Sequence, residues 1–197
     1  MYIFAANVLK ILLSLFGRIK VYQKENLPKS GGYVIACTHT GWVDILWLGV
    51  ATLPTKIHYM AKKELFQSGF LKWLMNSLHA FPVDRENPGP STIKIPRKLL
   101  KEGKVVGIFP SGTRTSEEVP LKKGAVTIAA NSNVPIIPAA YVGPNNFSDL
   151  FKRVKPKLIY GEPILLPEDE SKREGMETMM NKLNKEFIDL QEKIKGN

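Results

Sequence analysis

The sequence predicts an α/β fold: a single domain in which a largely parallel central sheet is covered by helices. Short apolar runs of four to six residues alternate with longer segments of helical periodicity. Those runs are apolar at nearly every position, which suits strands covered on both faces. With 197 residues, 44% of them hydrophobic and 23% charged, the chain is large enough to bury one core and too apolar to stay disordered.

Taken in order, residues 1–17 are rich in Ile, Leu, Phe, Val and Ala. Lys10 interrupts this run, the uncharged stretches fall short of the roughly 20 residues a membrane span needs, and no small-residue cleavage site follows. On a helical wheel Asn7, Lys10, Ser14, Gly17 and Arg18 form a stripe roughly 100° wide, and the rest of the surface is apolar. Such a helix either lies in a bilayer interface or packs on a core. Lys20, Lys24 and Lys29 favour the interface by attracting anionic lipid. The chain thus divides into a membrane-interface helix at 1–20 and a domain at 21–197.

Pro28 and Ser30-Gly31-Gly32 mark a turn, and Tyr33 to Cys37 reads as a buried strand. Trp42 to Leu53 reads as a helix closed by Pro54, Lys56 to Ala61 as a strand, and Lys63 to Leu78 as one helix. Ala80 to Val83 is a strand, followed by a loop from Asp84 to Pro90. A helix spans about Thr92–Lys101, with Pro96 pointing to a start there. Val105 to Phe109 is a strand, Gly124 to Ala130 a helix, and Val134 to Val142 and Lys157 to Tyr160 are strands. From Glu168 onward a charged helix carries Met176, Met179, Met180, Leu183, Phe187, Ile188 and Leu190 on or near one face, with the methionines suited to packing on the body.

The net charge of +10 implies an acidic partner: nucleic acid, an anionic bilayer, or phosphorylated or acidic soluble molecules. Nucleic acid is disfavoured, because the aromatics are not interleaved with basic residues on strands and no nucleic-acid motif appears. Lys152, Arg153, Lys155 and Lys157 form a basic cluster suited to lipid headgroups or an acidic carrier, or to plain solvation. Cys37 is the sole cysteine, which rules out an intrachain disulfide and suits a reducing compartment; it reads as a small buried thiol. His39, His58 and His79 lack His-x-x-x-His spacing, so a metal-free mechanism is expected. His58 and His79 have no partner nearby in sequence and read as structural or exposed.

Five segments stand out. Thr38-His39-Thr40-Gly41-Trp42-Val43-Asp44 joins a strand end to a helix start, with an imidazole and a carboxylate five residues apart. A carboxylate bonded to one ring nitrogen fixes the tautomer and leaves the other nitrogen as a general base. Gly41 is expected to let the turn bend tightly between them. Phe109-Pro110-Ser111-Gly112-Thr113-Arg114 runs from a strand into a Gly turn whose hydroxyls, N–H groups and Arg suit a phosphate monoester. Pro120-Leu121-Lys122-Lys123-Gly124 adds cations before a helix. Phe81-Pro82-Val83-Asp84-Arg85 leads a third strand into an Arg, and Val134-Pro135-Ile136-Ile137-Pro138 is a strand whose prolines read as edge or first positions.

Four of them, beginning at Thr38, Phe81, Phe109 and Val134, resemble in that chain order the four sequence blocks of the glycerolipid acyltransferase family, in a short bacterial form, and the resemblance runs from about residue 20 to 165. The resemblance implies transfer of a fatty acyl group from acyl carrier protein or coenzyme A thioester, as co-substrate, to the free sn-2 hydroxyl of 1-acyl-glycerol-3-phosphate, giving phosphatidic acid. No cofactor and no acyl-enzyme intermediate are implied. His39 would be the base and Asp44 its orienting partner. Arg114, with Ser111, Gly112 and Thr113 beside it, would hold the phosphate together with Arg85, Lys122 and, more weakly, Lys62. Val134, Pro135, Ile136, Ile137 and Pro138 would shape the acyl-donor side. Ser111 stands where the family usually carries Glu, so Ser111, or Glu117 or Glu118, would take over that contact. The implied place of work is the cytoplasmic face of the cell membrane, held peripherally or monotopically. Glycerol-3-phosphate as acceptor, hydrolysis by the same pair, and passive lipid carriage are the competing readings.

Overall fold

The structure, a computed structural model, describes residues 2–39, 41–84, 89–110, 123–152 and 154–196. Seven strands, β1 (Lys20–Tyr22), β2 (Tyr33–Cys37), β3 (Ile57–Lys62), β4 (Phe81–Val83), β5 (Val105–Ile108), β6 (Ile136–Val142) and β7 (Lys157–Tyr160), form one sheet. Their order is β1-β7-β6-β2-β5-β3-β4. Pairings among the described residues are parallel except β6–β7. The expected α/β architecture is therefore present.

Side-chain alternation along β2 shows how the sheet is covered. Tyr33, Ile35 and Cys37 enter one core, built mainly with α2 (Val43–Thr52) and α1 (Tyr2–Ser14). Val34 and Ala36 enter the other, built with α4 (Ser91–Lys101), α5 (Gly124–Ser132) and α7 (Lys172–Gly196). All five residues are at most 2% exposed, so a strand with period-2 geometry reads as a continuous apolar run. Helix α1 rests on α2 through buried Ala6 and Leu13, with Leu9 and Phe16 partly buried. Burying Leu13 alone is worth roughly 2 kcal/mol. Its opposite face leaves Val8, Ile11, Leu12 and Leu15 in solvent.

Several local expectations change. The helix expected at 63–78 is a 3-10 turn at Lys63–Phe66 followed by α3 (Gly69–Ser77). Ser68 makes the break, its hydroxyl and carbonyl accepting the N–H groups of Leu71 and Lys72. Pro96 does not start α4 but lies inside it, buried. The lost backbone hydrogen bond, a cost of about 3 kcal/mol, is opposed by the burial of Pro96 and by Leu100, Ile93 and Leu99 of the same helix packing in the second core. Two short elements carry no readable period: β1, which pairs with β7, and α6 (Phe147–Phe151).

Pro138 is not at an edge. It sits in β6 between β2 and β7. Gly161 donates its N–H to the Pro138 carbonyl at 2.8 Å, and pairing resumes at Ile136–Ile164. Glu162 and Pro163 therefore oppose Ile137 alone, a bulge that places Pro138's missing N–H where the ladder is already interrupted. Pro135 does hold a first position, just before β6, and its carbonyl accepts the Val34 N–H at 3.0 Å.

Candidate active site

The carboxyl ends of β2, β5, β3 and β4 lie side by side along one rim of the sheet, where α/β proteins bind ligands. His39 stands just beyond β2. Thr38 keeps the chain in register by donating its N–H to the Ala139 carbonyl of β6 at 3.0 Å. Asp44 lies in the first turn of α2, where the helix dipole favours negative charge, and is 0% exposed.

The two side chains meet. His39 Nδ1 lies 3.1 Å from Asp44 Oδ2 and 3.2 Å from Oδ1, with the imidazole 9% exposed. Asp44 Oδ2 also accepts the Gly41 N–H at 3.1 Å. The carboxylate thereby holds a proton on Nδ1 and leaves Nε2 with its lone pair, the tautomer a general base requires. The Phe109 ring lies against His39, centroids 4.7 Å apart, and limits its tilt.

Gly41 serves a different purpose from the one its position suggested. A Cβ there would lie 1.9 Å from the carbonyl oxygen of Asn145. Glycine is needed because a second backbone crosses this turn at van der Waals distance. Sequence reasoning missed that crossing; its one local signal was the turn chemistry of Gly143-Pro144-Asn145-Asn146.

Arg85, Ser111, Gly112, Thr113, Arg114, Lys122, Glu117 and Glu118 lie outside the described residues. Lys62 ends β3 on the same rim and is exposed, and its neighbour Lys63 pairs with Asp84 at 2.5 Å. Val134 and Pro135, half-buried, lead into β6, and Ile136, Ile137 and Pro138 begin it below the rim; Ile136 and Ile137 are 0% exposed. They form the sheet under the site and do not reach its mouth.

Cys37 points into the same core as Tyr33 and Ile35. Burial, then the nearby Asp44 charge, push its thiol well above the ordinary range, so it is neutral and poorly nucleophilic. From His39, the Phe109 ring leads to Tyr59, stacked on it at 6.3 Å, and on to an apolar recess between α1 and α2. At about 20 Å³ the recess has room for a water molecule and none for an acyl chain. A wider groove of about 590 Å³ lies between residues 162–167 and α7. The 162–167 segment runs along the beginning of β6, away from His39, and does not belong to this site.

An acid-held histidine at a strand end fits many enzymes; the whole chain decides among them. Residues 18–142 match the model of the family described as Acyltransferase. The chain belongs to the acyltransferase family. It is 58% identical over 196 residues to the 1-acyl-sn-glycerol-3-phosphate acyltransferase of Bacillus subtilis, covering 98% of both chains. The enzyme of the same name from Streptococcus pneumoniae is 35% identical, over 95% of this chain and 72% of its own. The fold of this acyltransferase is similar to the crystal structure of the 1-acyl-sn-glycerophosphate (LPA) acyltransferase PlsC from Thermotoga maritima, with a TM-score of 0.69 at 20% identity. That likeness covers 94% of this chain and 78% of the other.

Proposed function

We propose that this acyltransferase moves a fatty acyl group from a thioester to the free hydroxyl of 1-acyl-glycerol-3-phosphate, with His39 as general base. The observation that carries the reading is the buried Asp44 carboxylate bonded to His39 Nδ1 at 3.1 Å, in a chain 58% identical to an enzyme named for that reaction. Nε2 takes the proton of the acceptor hydroxyl as its oxygen attacks the thioester carbonyl. The tetrahedral oxyanion collapses, the C–S bond breaks, and the imidazolium returns its proton to the leaving thiolate. A base of this kind contributes ~10²–10⁴-fold. The neutral, buried Cys37 thiol supports direct transfer over an acyl-cysteine.

Arg114, Arg85 and Lys122, with Ser111, Gly112 and Thr113, are proposed to hold the acceptor phosphate, and the exposed Lys62 to extend the positive rim. Val134 and Pro135, with the buried start of β6 that follows, Ile136 to Pro138, are proposed to back the acyl-donor side from beneath. The donor is acyl carrier protein or acyl-coenzyme A.

The working place proposed is an anionic membrane surface, met peripherally. No helix among the described residues is long and apolar enough to cross a membrane. Leu15 and Phe151 are 76% and 74% exposed, and the Phe16 and Phe151 rings meet edge to face, centroids 5.2 Å apart, tying the segment after α1 to α6. Lys10, Arg18, Lys20 and Lys152 are exposed around them, each worth about 1 kcal/mol near an anionic leaflet.

The test is one incubation matrix: both thioester donors against 1-acyl-glycerol-3-phosphate and glycerol-3-phosphate on vesicles, read by product mass. Phosphatidic acid is the expected product. Free fatty acid as the main product would replace transfer with hydrolysis, and exclusive acylation of glycerol-3-phosphate would change the acceptor.

A further inference from the structure

We propose that Tyr141 is a positioning residue for the His39–Asp44 pair, acting through the 143–146 loop that presses on the Gly41 turn. This rests on the catalytic reading above. Tyr141 lies in β6 and is 1% exposed. It engages the catalytic turn from two directions. Its backbone N–H donates to Thr38 Oγ1 at 3.2 Å, one residue before His39. Its phenol donates to the Pro144 carbonyl at 3.1 Å in the interior.

Local sequence accommodates that second bond. A Cβ at Gly143 would lie 2.5 Å from the Tyr141 hydroxyl oxygen, so the loop can pass over the phenol only with glycine there. The Pro144 carbonyl belongs to the peptide that joins Pro144 to Asn145, so the phenol sets where Asn145 begins. Asn145 then lays its backbone so close to Gly41 that a Cβ there would come within 1.9 Å of the Asn145 carbonyl oxygen. Gly41 in turn donates to the carboxylate that holds His39. Each link is a direct contact, and none passes through bulk solvent.

The outer side of the loop is fixed as well. Asn145 donates its N–H to Asp149 Oδ2 at 3.2 Å, and Asn146 caps α6 by accepting the Asp149 N–H at 3.0 Å. Lys152 Nζ donates to Asp149 Oδ1 at 2.8 Å. The loop is therefore clamped between a buried phenol and a surface carboxylate, with the Gly41 turn beneath it. Burial, with the Asp44 charge second, raises the phenol above its ordinary range, so it stays a neutral donor.

Tyr141→Phe keeps the ring and removes one donor, leaving a buried carbonyl without its bond and the loop free to shift. A displaced Gly41 N–H lets the Asp44 carboxylate swing away from the imidazole, and misplacements of about 1 Å can cost ~10²-fold. The measurement is kcat and KM for both substrates, with thermal midpoints, for Tyr141→Phe in the wild-type and Asp44→Asn backgrounds. In the wild type kcat should fall about tenfold with both KM values within about twofold. In Asp44→Asn the same change should alter kcat less than about twofold, because the carboxylate it positions is gone. A purely structural role predicts losses that multiply in full across the two backgrounds, and that result overturns the proposal. Should Tyr141→Phe fail to fold, Asp149→Ala loosens the same loop from its solvent side. It should give a kcat loss of about threefold that again vanishes in Asp44→Asn; no kcat loss, or a full one in both backgrounds, overturns the proposal. An Asp44→Asn enzyme of normal activity would instead sink the catalytic reading itself.

Discussion

A His–Asp pair and a His–His pair occupy opposite ends of one sheet, in surroundings of opposite charge. At the carboxyl rim His39 meets a fully buried carboxylate in the first turn of a helix. At the amino end His58, the second residue of β3, bonds through Nδ1 to the Val105 carbonyl at 3.2 Å and faces the His79 ring 5.1 Å away. Desolvation lowers the protonation of both His58 and His79; Lys56 and Lys104 lower both further, and His79 adds to the effect on His58. An imidazole opposite a carboxylate is oriented by it through Nδ1. One beside other cations is kept neutral. Strand polarity sorts the two, because the carboxyl ends of parallel strands lead into helix N-termini, where a carboxylate is favoured.

The largest expected effect separates the two ends directly. His39→Ala should cost ~10²–10⁴-fold in kcat with the thermal midpoint nearly unchanged, while His58→Gln and His79→Gln keep kcat within about twofold. Equal losses from all three would erase the contrast. Gly41→Ala comes next, because its Cβ has no space beside Asn145. Displacement of the turn by about 1 Å should lower kcat up to ~10²-fold, read by steady-state rates at saturating substrate. Cys37→Ala sharpens the assignment of the base: kcat should stay within about threefold, since a thiol raised by burial takes no part. An iodoacetamide adduct at Cys37 that tracks inactivation would contradict it.

The smallest effect belongs to the amino end. The folded values of His58 and His79 lie below 6.5, so the unfolded chain binds protons more readily. Stability is then full above about pH 6.5 and is lost as pH falls through that value toward the lower folded ones. The thermal midpoint should drop by a few degrees between about pH 7.5 and 5.5, and His58→Gln with His79→Gln should flatten the drop. An unchanged slope would leave the pair without energetic consequence.

Much of the architecture was legible because burial writes itself into composition. β2, β5, β6, α2 and α7 follow from apolar runs or helical spacing, and the His39–Asp44 pair from a five-residue interval at a strand end. Where packing overrides local preference the sequence misleads. Pro96 continues a helix because a buried face holds it there, and Pro138 occupies a central strand because β7 bulges opposite it. The three residues of β1 are too few to show a period. The role of Phe109 as a ring against the base had no signal beyond its place in a motif.

By itself the sequence determined the fold class, the strand that delivers the histidine, and the acid five residues on. Those depend on periodicity and short spacing, which a linear chain displays. Only the tertiary structure decided why Gly41 must be glycine, that Tyr141 bonds to Thr38 and Asn145 lies over the Gly41 turn, and that the other two histidines face each other among lysines. Those relations join residues far apart in the chain, and close approach of two backbones leaves no pattern along either one.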